Sequence, residues 1–196
     1  MSGFENKTIW ITGASSGIGK ALAIKFSSLG ANIVLSSRNE DELLKVANQC
    51  STETLIIPLD LAKQDNFIEA TKKVCEKFKT IDYLINNGGI SQRSKATETN
   101  LEVDRLLMEI NYFGTIALTK AVLPVMQNQQ RGHIITISSL SGKFGFFLRS
   151  AYAAAKFAQV GFFESLRLEE EKNKINVSIV FPGFVKTNIS QNALSG

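Results

Sequence analysis

Two rhythms of apolar positions alternate along this chain. Six short runs of β-formers are bounded by polar or glycine residues: Lys7 to Thr12 (KTIWIT), Asn32 to Ser37 (NIVLSS), Thr54 to Leu59 (TLIIPL), Ile81 to Ile85 (IDYLI), Gly132 to Ser138 (GHIITIS) and Ile175 to Phe181 (INVSIVF). Nearly continuous apolar runs of this length read as buried strands. Between them the apolar residues fall at helical spacing. Ile18, Leu22, Phe26 and Leu29 mark a first helix that Gly30 closes. Leu43, Leu44 and Val46 face inward from Asp41 to Cys50, and Phe67, Ile68, Val74 and Phe78 from Asp65 to Phe78. Val103, Leu106, Leu107, Ile110, Ala117 and Val122 give one long helix, Leu101 to Gln127. The last helix, Ser150 to Lys172, carries Ala151, Ala154, Ala155, Ala158 and Gly161 for close packing, with bulk from Val160, Phe163 and Leu166. Strands alternating with helices predict an α/β fold: a doubly wound parallel sheet in three α/β/α layers, one domain over residues 1–196.

Asn111 stands inside the long helix, where asparagine is a poor helix former, so a kink, a water or a functional bond must compensate. The first strand runs into Thr12-Gly13-Ala14-Ser15-Ser16-Gly17-Ile18-Gly19 and then a helix. Strand, glycine loop and helix form the first half of a dinucleotide-binding unit. Glycines let the backbone approach a pyrophosphate, and the helix N-terminus offers unpaired N–H groups. After the second strand, where an NAD site carries an acidic residue for the ribose hydroxyl, stand Ser37 and Arg38. A guanidinium suits a 2′-phosphate, so NADP is expected, with NAD as the alternative.

Tyr152 and Lys156 lie four residues apart among good helix formers. That spacing puts both on one helix face, Cβ atoms about 5–6 Å apart. A nearby cation favours the phenolate, and bringing a tyrosine from about 10 to about 7 needs roughly 4 kcal/mol. A lysine in a partly dry cleft, helped by a cofactor's positive ring, would supply it.

Composition narrows the function classes. Hydrophobic residues are 44% and charged residues 20%, as in soluble globular proteins. Cys50 and Cys75 have no metal-ligand or redox spacing, no apolar run approaches a membrane span, and Met1 to Lys7 shows no signal peptide. A cytoplasmic protein without a metal site is expected. The net charge of +4 favours anionic ligands. Lys72, Lys73, Lys77 and Lys79 read as a solvated helix face, and no nucleic-acid motif accompanies them. His133, the single histidine, has no partner in the sequence and no G-x-S-x-G elbow occurs, which argues against a serine hydrolase.

The T-G-x-x-x-G-x-G spacing of Gly13, Gly17 and Gly19 is not the tighter G-x-G-x-x-G, and it resembles the short-chain dehydrogenase/reductase family. The rest of the chain, Lys7 to Thr187, is similar in motif order and spacing. The resemblance implies a Rossmann fold and a hydride transfer between NADP(H) and a carbonyl or secondary alcohol. It assigns Asn111, Ser139, Tyr152 and Lys156 to catalysis. Ser139 ends a strand thirteen residues before Tyr152, as the family's serine does. Tyr152 would exchange the proton, Ser139 would bond the substrate oxygen, Lys156 would lower the phenol pKa and hold the nicotinamide ribose, and Asn111 would hold a water in a proton relay. For the cofactor it implies Gly13, Ser15, Ser16, Gly17, Ile18, Gly19, Arg38, Asp60 at the adenine with Leu61 beside it, Asn87, Gly88, Tyr152, Lys156, and Pro182, Gly183 and Thr187 of the P-G-x-x-x-T motif. The sequence Asn86-Asn87-Gly88-Gly89 departs from the family's Asn-Asn-Ala-Gly, and Gly88 is expected to loosen the backbone slightly.

Family members continue into a substrate lid, a further helix and a last strand, so this chain is expected to lack the lid and last strand. The Phe144, Phe146 and Phe147 loop has three readings: an apolar substrate wall, a subunit contact or core. The substrate is expected to be an apolar carbonyl or alcohol. Exposed Phe162 or Phe163 would let two long helices pair in a homodimer or homotetramer. A nucleotide-binding regulatory module without turnover is the alternative function.

Overall fold

A computed structural model of the chain describes residues 3–185, 187, 189 and 191–195. Lys186, inside the P-G-x-x-x-T motif, lies outside the described residues. Six strands, β1 (Thr8–Thr12), β2 (Asn32–Ser36), β3 (Thr54–Ile56), β4 (Tyr83–Asn86), β5 (Gly132–Ile137) and β6 (Ile175–Val180), form one parallel sheet in the order β3-β2-β1-β4-β5-β6. The helices are α1 (Gly17–Ser28), α2 (Glu40–Ala47), α3 (Phe67–Phe78), α4 (Leu101–Met108), α5 (Thr115–Gln129) and α6 (Ser150–Glu169).

Strand periodicity sends alternate residues to opposite faces. Ile9, Ile11, Ile33, Leu35 and Ile85 pack with Ala23, Leu43 and Val46 of α1 and α2. Trp10, Val34, Leu84 and Ile134 pack with Val74, Val122 and Phe163 of α3, α5 and α6. The sheet is therefore covered on both faces, as the uninterrupted apolar strands require. The chain winds outward from β1 to β3, returns, and winds the other way from β4. Loops leaving β1 and β4 diverge at their carboxyl ends, and that switch point is where open α/β sheets take ligands.

Some expectations fail locally. Leu44 and Ile68 are 47% and 67% exposed. In α3 the buried set is Phe67, Ala70, Thr71 and Val74, so Ile68 is out of phase by one residue. In α2 the buried pair Leu43 and Val46 leaves Leu44 on the flank. Phe163 is core rather than surface, and Phe162 is half-buried against Phe163 and Tyr112. The long helix is interrupted by a π-helical stretch, Glu109–Gly114, centred on Asn111. Leu101–Gln129 as a whole is long and apolar enough to cross a membrane, with mean hydropathy 1.3 over its most apolar window. Half of that window is buried, and Leu118, Val122 and Met126 belong to the core, which accounts for the apolarity.

Candidate active site

The loop after β1 is shaped by backbone that only glycine takes easily. Gly13 and Gly17 have φ of +63° and +53°. A Cβ on Gly19 would lie 2.3 Å from the Gly13 carbonyl oxygen, so the first turn of α1 is pressed against the loop. Thr12 and Asn87 sew β1 to β4. Thr12 Oγ1 accepts the N–H groups of Asn87 at 3.0 Å and Gly88 at 2.9 Å, while Asn87 Nδ2 donates to the carbonyls of Thr12 at 3.0 Å and Gly13 at 3.2 Å. Gly88 loosens nothing evident: its φ is not positive, and a Cβ there would lie 2.8 Å from Leu61 Cδ1, so the Leu61 side chain fills the space.

Ser16, the N-cap of α1, does not cap the helix with its side chain. Ser16 and Gly17 are exposed, Ser15 and Ile18 half-buried. The first-turn N–H groups are thus left for an anion. Arg38 is exposed just past β2, and Asp60 turns its carboxylate onto the Ala62 N–H at 3.0 Å. Pro182 and Gly183 follow β6, and Thr187 lies over the glycine loop, its Cγ2 3.2 Å from where a Gly17 Cβ would sit.

Beside this cradle three polar residues meet at the end of β5. Ser139 caps a short 3₁₀ turn, Leu140–Gly142, accepting the Ser141 N–H at 3.1 Å. Tyr152 and Lys156 occupy the first two turns of α6, both buried, with Lys156 Nζ 5.8 Å from the Tyr152 ring centroid. Burial raises the Tyr152 pKa above its ordinary value, opposed by a hydrogen bond with Ser139 and by the charge of Arg149, whose Cζ is 6.0 Å from the ring. This differs from the expected depression by Lys156: desolvation of the phenol outweighs the Ser139 bond and the Arg149 charge. Burial also lowers Lys156 to about 8. Its Nζ donates to the Ile137 carbonyl at 3.0 Å and to Gln159 Oε1 at 3.1 Å.

Asn111 is fully buried. Its Oδ1 accepts the Ile90 N–H at 2.8 Å and its Nδ2 donates to the Ile90 carbonyl at 2.9 Å. The compensation for asparagine in a helix is thus a widened turn and a reciprocal bond to the loop after β4. Gly89 permits it, since a Cβ there would meet Asn111 Oδ1 at 2.8 Å. Asn111 reaches Lys156 through Gln159, whose Nε2 donates to the Asn111 carbonyl.

Sequence reasoning missed Gln159, Thr12, Arg149 and Gly114. Gln159 stands three residues after Lys156, so helical spacing placed it within reach, but a lone glutamine carries no motif. Arg149 donates to Ser91 Oγ and, at 2.9 Å, to the Gln92 carbonyl. Gly114 is close-packed, its missing Cβ only 2.1 Å from the Leu61 carbonyl oxygen.

Phe144 and Phe147 are 51% and 83% exposed, which removes the core reading of that loop. Phe146, Phe147, Arg149 and Ser150 line a cavity of about 230 Å³ with Ser94 and Lys95. A larger one of about 420 Å³ runs along β6 beside His133, whose Nε2 bonds Ser178 Oγ at 2.8 Å, and contains none of the residues above. Among the described residues no group of three His, Cys, Asp or Glu is placed to hold a metal ion.

A family profile described as short chain dehydrogenase matches residues 7–196. Human dehydrogenase/reductase SDR family member 7 is 44% identical over 196 residues, covering 96% of this chain and 58% of the relative. A dehydrogenase/reductase SDR family protein 7-like protein of Anopheles gambiae is 44% identical over 200 residues, covering 98% and 63%. The chain thus spans about three-fifths of the length of these curated relatives. Among solved structures, a short chain dehydrogenase/reductase from Burkholderia phymatum in complex with NAD superposes with TM-score 0.93 at 26% identity, over 98% of this chain and 70% of that one. A metagenomic short-chain oxidoreductase in complex with NADP gives 0.88 at 32%, over 93% and 85%. A profile spanning nearly the whole chain, agreeing with the six-stranded parallel sheet, shows that this chain belongs to the short-chain dehydrogenase/reductase family.

Proposed function

We propose that the protein is an oxidoreductase that moves a hydride between NADP(H) and a carbonyl or secondary alcohol. The observation that carries this is the meeting of the Ser139 hydroxyl, the Tyr152 phenol and the Lys156 ammonium at one strand end beside a glycine cradle. The cradle fits a dinucleotide: its main chain is bare where a Cβ would intrude, and the N-terminus of α1 is uncapped by its serine. Gly13, Ser15, Ser16, Gly17, Ile18 and Gly19 would hold the pyrophosphate. Asp60, Leu61, Asn87 and Gly88 would line the adenosine, and Pro182, Gly183 and Thr187 the nicotinamide end. Arg38 would pair with a 2′-phosphate, and structural relatives with NAD and with NADP leave both cofactors as candidates.

When bound, the nicotinamide supplies or accepts the hydride. Tyr152 gives its proton to the oxygen as a carbonyl becomes an alcohol, and takes it back in the reverse direction. Ser139 donates a hydrogen bond to that oxygen, where negative charge grows. Lys156 keeps a cation within reach of the phenol and has one N–H beyond its two protein acceptors for a ribose hydroxyl. Asn111 fixes the loop after β4 against the site. The cavity beside Phe146 and Phe147 favours a substrate with an apolar body. Phe157 and Leu168 are exposed on α6 and would be the surface that a second copy covers in a homodimer or homotetramer.

The test is a titration with NADPH and with NADH, then a panel of apolar ketones and secondary alcohols with the tighter cofactor. Turnover that Tyr152→Phe abolishes supports the reading; turnover equal to wild type in that variant defeats it. The alternative function is a nucleotide-binding module without turnover. Tight cofactor binding with no turnover across the panel would select it.

A further inference from the structure

The buried corner holds a polar amide, bonded directly to the ammonium, to which the catalytic reading gives no task. Gln159 is 1% exposed, on α6, one turn beyond Lys156. Its Oε1 accepts from Lys156 Nζ at 3.1 Å. Its Nε2 donates to the Asn111 carbonyl and, at 3.4 Å, to Thr115 Oγ1. The amide's orientation is fixed by chemistry. The opposite flip would set oxygen against the Asn111 carbonyl and N–H against the ammonium, an acceptor on an acceptor and a donor on a donor. The Asn111 carbonyl is reachable because Asn111 sits in the π-helical stretch, whose wider turn admits a side chain.

We propose that Gln159 is a positioning residue that holds the Lys156 ammonium in place by tying it to the main-chain carbonyl of Asn111. Asn111 and Lys156 are linked here by an amide. An amide has no proton to pass at neutral pH, so its part is to aim and to hold charge. It does two things. It supplies one of two acceptors for a cation taken out of water, the other being the Ile137 carbonyl. It also couples the rotamer of Lys156 to the π-helical turn, and through the Asn111 side chain to the loop at Ile90. The titratable group near the ammonium is Tyr152, in the first turn of α6, with the Arg149 guanidinium 6.0 Å from the same phenol ring. Among the described residues no carboxylate contributes to the shift of Lys156, which comes from burial alone.

The inference rests on the oxidoreductase reading, and its test is separable from it. Lys156 is titrated by the ¹⁵N or ¹³Cε resonance of its side chain in the full chain, without cofactor or substrate. Gln159→Met removes the acceptor at similar length, so the Lys156 pKa is expected to fall by about one unit. Gln159→Glu puts a carboxylate at the same place, so the pKa is expected to rise above wild type. Gln159→Glu alone decides the matter if the apolar variant does not fold. If Gln159 only fills space, both variants lower the melting temperature and leave the titration where it was, which overturns the proposal. Carbonyl reduction is then measured. In Gln159→Met, kcat is expected to fall about tenfold with little change in KM for the carbonyl, since the aim of the lysine and not substrate contact is lost. A titration that moves as expected in a protein that turns over no carbonyl keeps the positioning role and defeats the oxidoreductase reading. An unmoved titration in an active enzyme does the reverse.

Discussion

The glycine cradle and the reaction corner lie at neighbouring strand ends and are made of opposite materials. The cradle is main chain: two left-handed glycines, a helix start left uncapped by its serine, and the Thr12–Asn87 bonds that fix the two loops. Its binding power lies in shape and N–H groups, and it holds no buried charge. The corner is side chain: a phenol, an ammonium, an asparagine and a glutamine removed from water and bonded mostly to main chain. Burying those groups costs stability, and the hydrogen bonds offset only part of it. Cradle changes should therefore act through fit, and corner changes through charge and protons.

The sharpest break in the comparison is Tyr152→Phe. It removes one oxygen from the corner and leaves the cradle untouched. Loss of a positioned acid/base is expected to lower kcat by about 10³-fold, while cofactor affinity stays within about twofold. Steady-state kinetics beside a fluorescence titration of NADPH would check it, and equal losses in both would mean the two regions are not separate.

Next is the cost of the buried ammonium, read as stability against pH. Lys156 is lowered to about 8 in the folded chain, from an ordinary 10.5. Below about 8 it is charged in both folded and unfolded chains, and its burial holds stability down by a constant amount. Between about 8 and 10.5 the unfolded chain binds the extra proton, so its contribution rises with pH, by about 3 kcal/mol over the window. Urea midpoints at pH 7.5 and 10.5 for wild type and Lys156→Met would show the difference. The extra rise should belong to wild type alone, since other titrating groups are common to both.

In the cradle region an added methyl group should be comparable to that buried charge. Gly114→Ala drives a Cβ to within 2.1 Å of the Leu61 carbonyl, backbone on backbone, with no flexible end to yield. A loss of about 3 kcal/mol is expected, with cofactor affinity weakened through Leu61. A smaller effect tests specificity: Arg38→Ala should lower NADPH affinity about tenfold relative to NADH, the size of one exposed charge-assisted contact. A ratio unchanged between the two cofactors would remove Arg38 from the cradle.

The two regions were also unequally legible in the sequence. The cradle announces itself because φ > 0 and close approach demand glycine at fixed spacing, and Gly13, Gly17 and Gly19 fall where the structure needs them. The strands were legible because a doubly covered sheet makes them continuously apolar. In the corner, Tyr152 and Lys156 could be paired from helical spacing, and Asn111 signalled trouble in its helix. The form of that trouble, a π-helical turn, was not readable, because it is set by a bond to Ile90 from a distant loop. Gln159 could be placed beside Lys156 by helical spacing, but its other partners, a carbonyl and a hydroxyl from a distant stretch of chain, were not readable. Ile68 was misassigned because adjacent apolar residues satisfy a pattern that only packing can phase.

The smallest effect uses the same chemical change with the opposite sign. Gly161 lies in the middle of α6, exposed, and a Cβ there would have no heavy atom within 4 Å. Its φ is not positive, so alanine fits the backbone it already has. Glycine in a helix interior costs conformational entropy that alanine does not, so Gly161→Ala should stabilise the chain by about 0.5–1 kcal/mol. That corresponds to a rise of about 1–4 °C in Tm for a chain of this size. Gly114→Ala and Gly161→Ala then differ only in what the new methyl meets. The surface around Gly161 carries Phe157 one turn earlier, where a second copy is proposed to pack. Close packing there would make the methyl intrude on a partner. Sedimentation of wild type and Gly161→Ala at matched concentration separates the cases: unchanged association with a raised Tm leaves α6 open at that point. Weakened association with no gain in Tm puts a second copy against it, and makes Gly161 a close-approach glycine like those of the cradle.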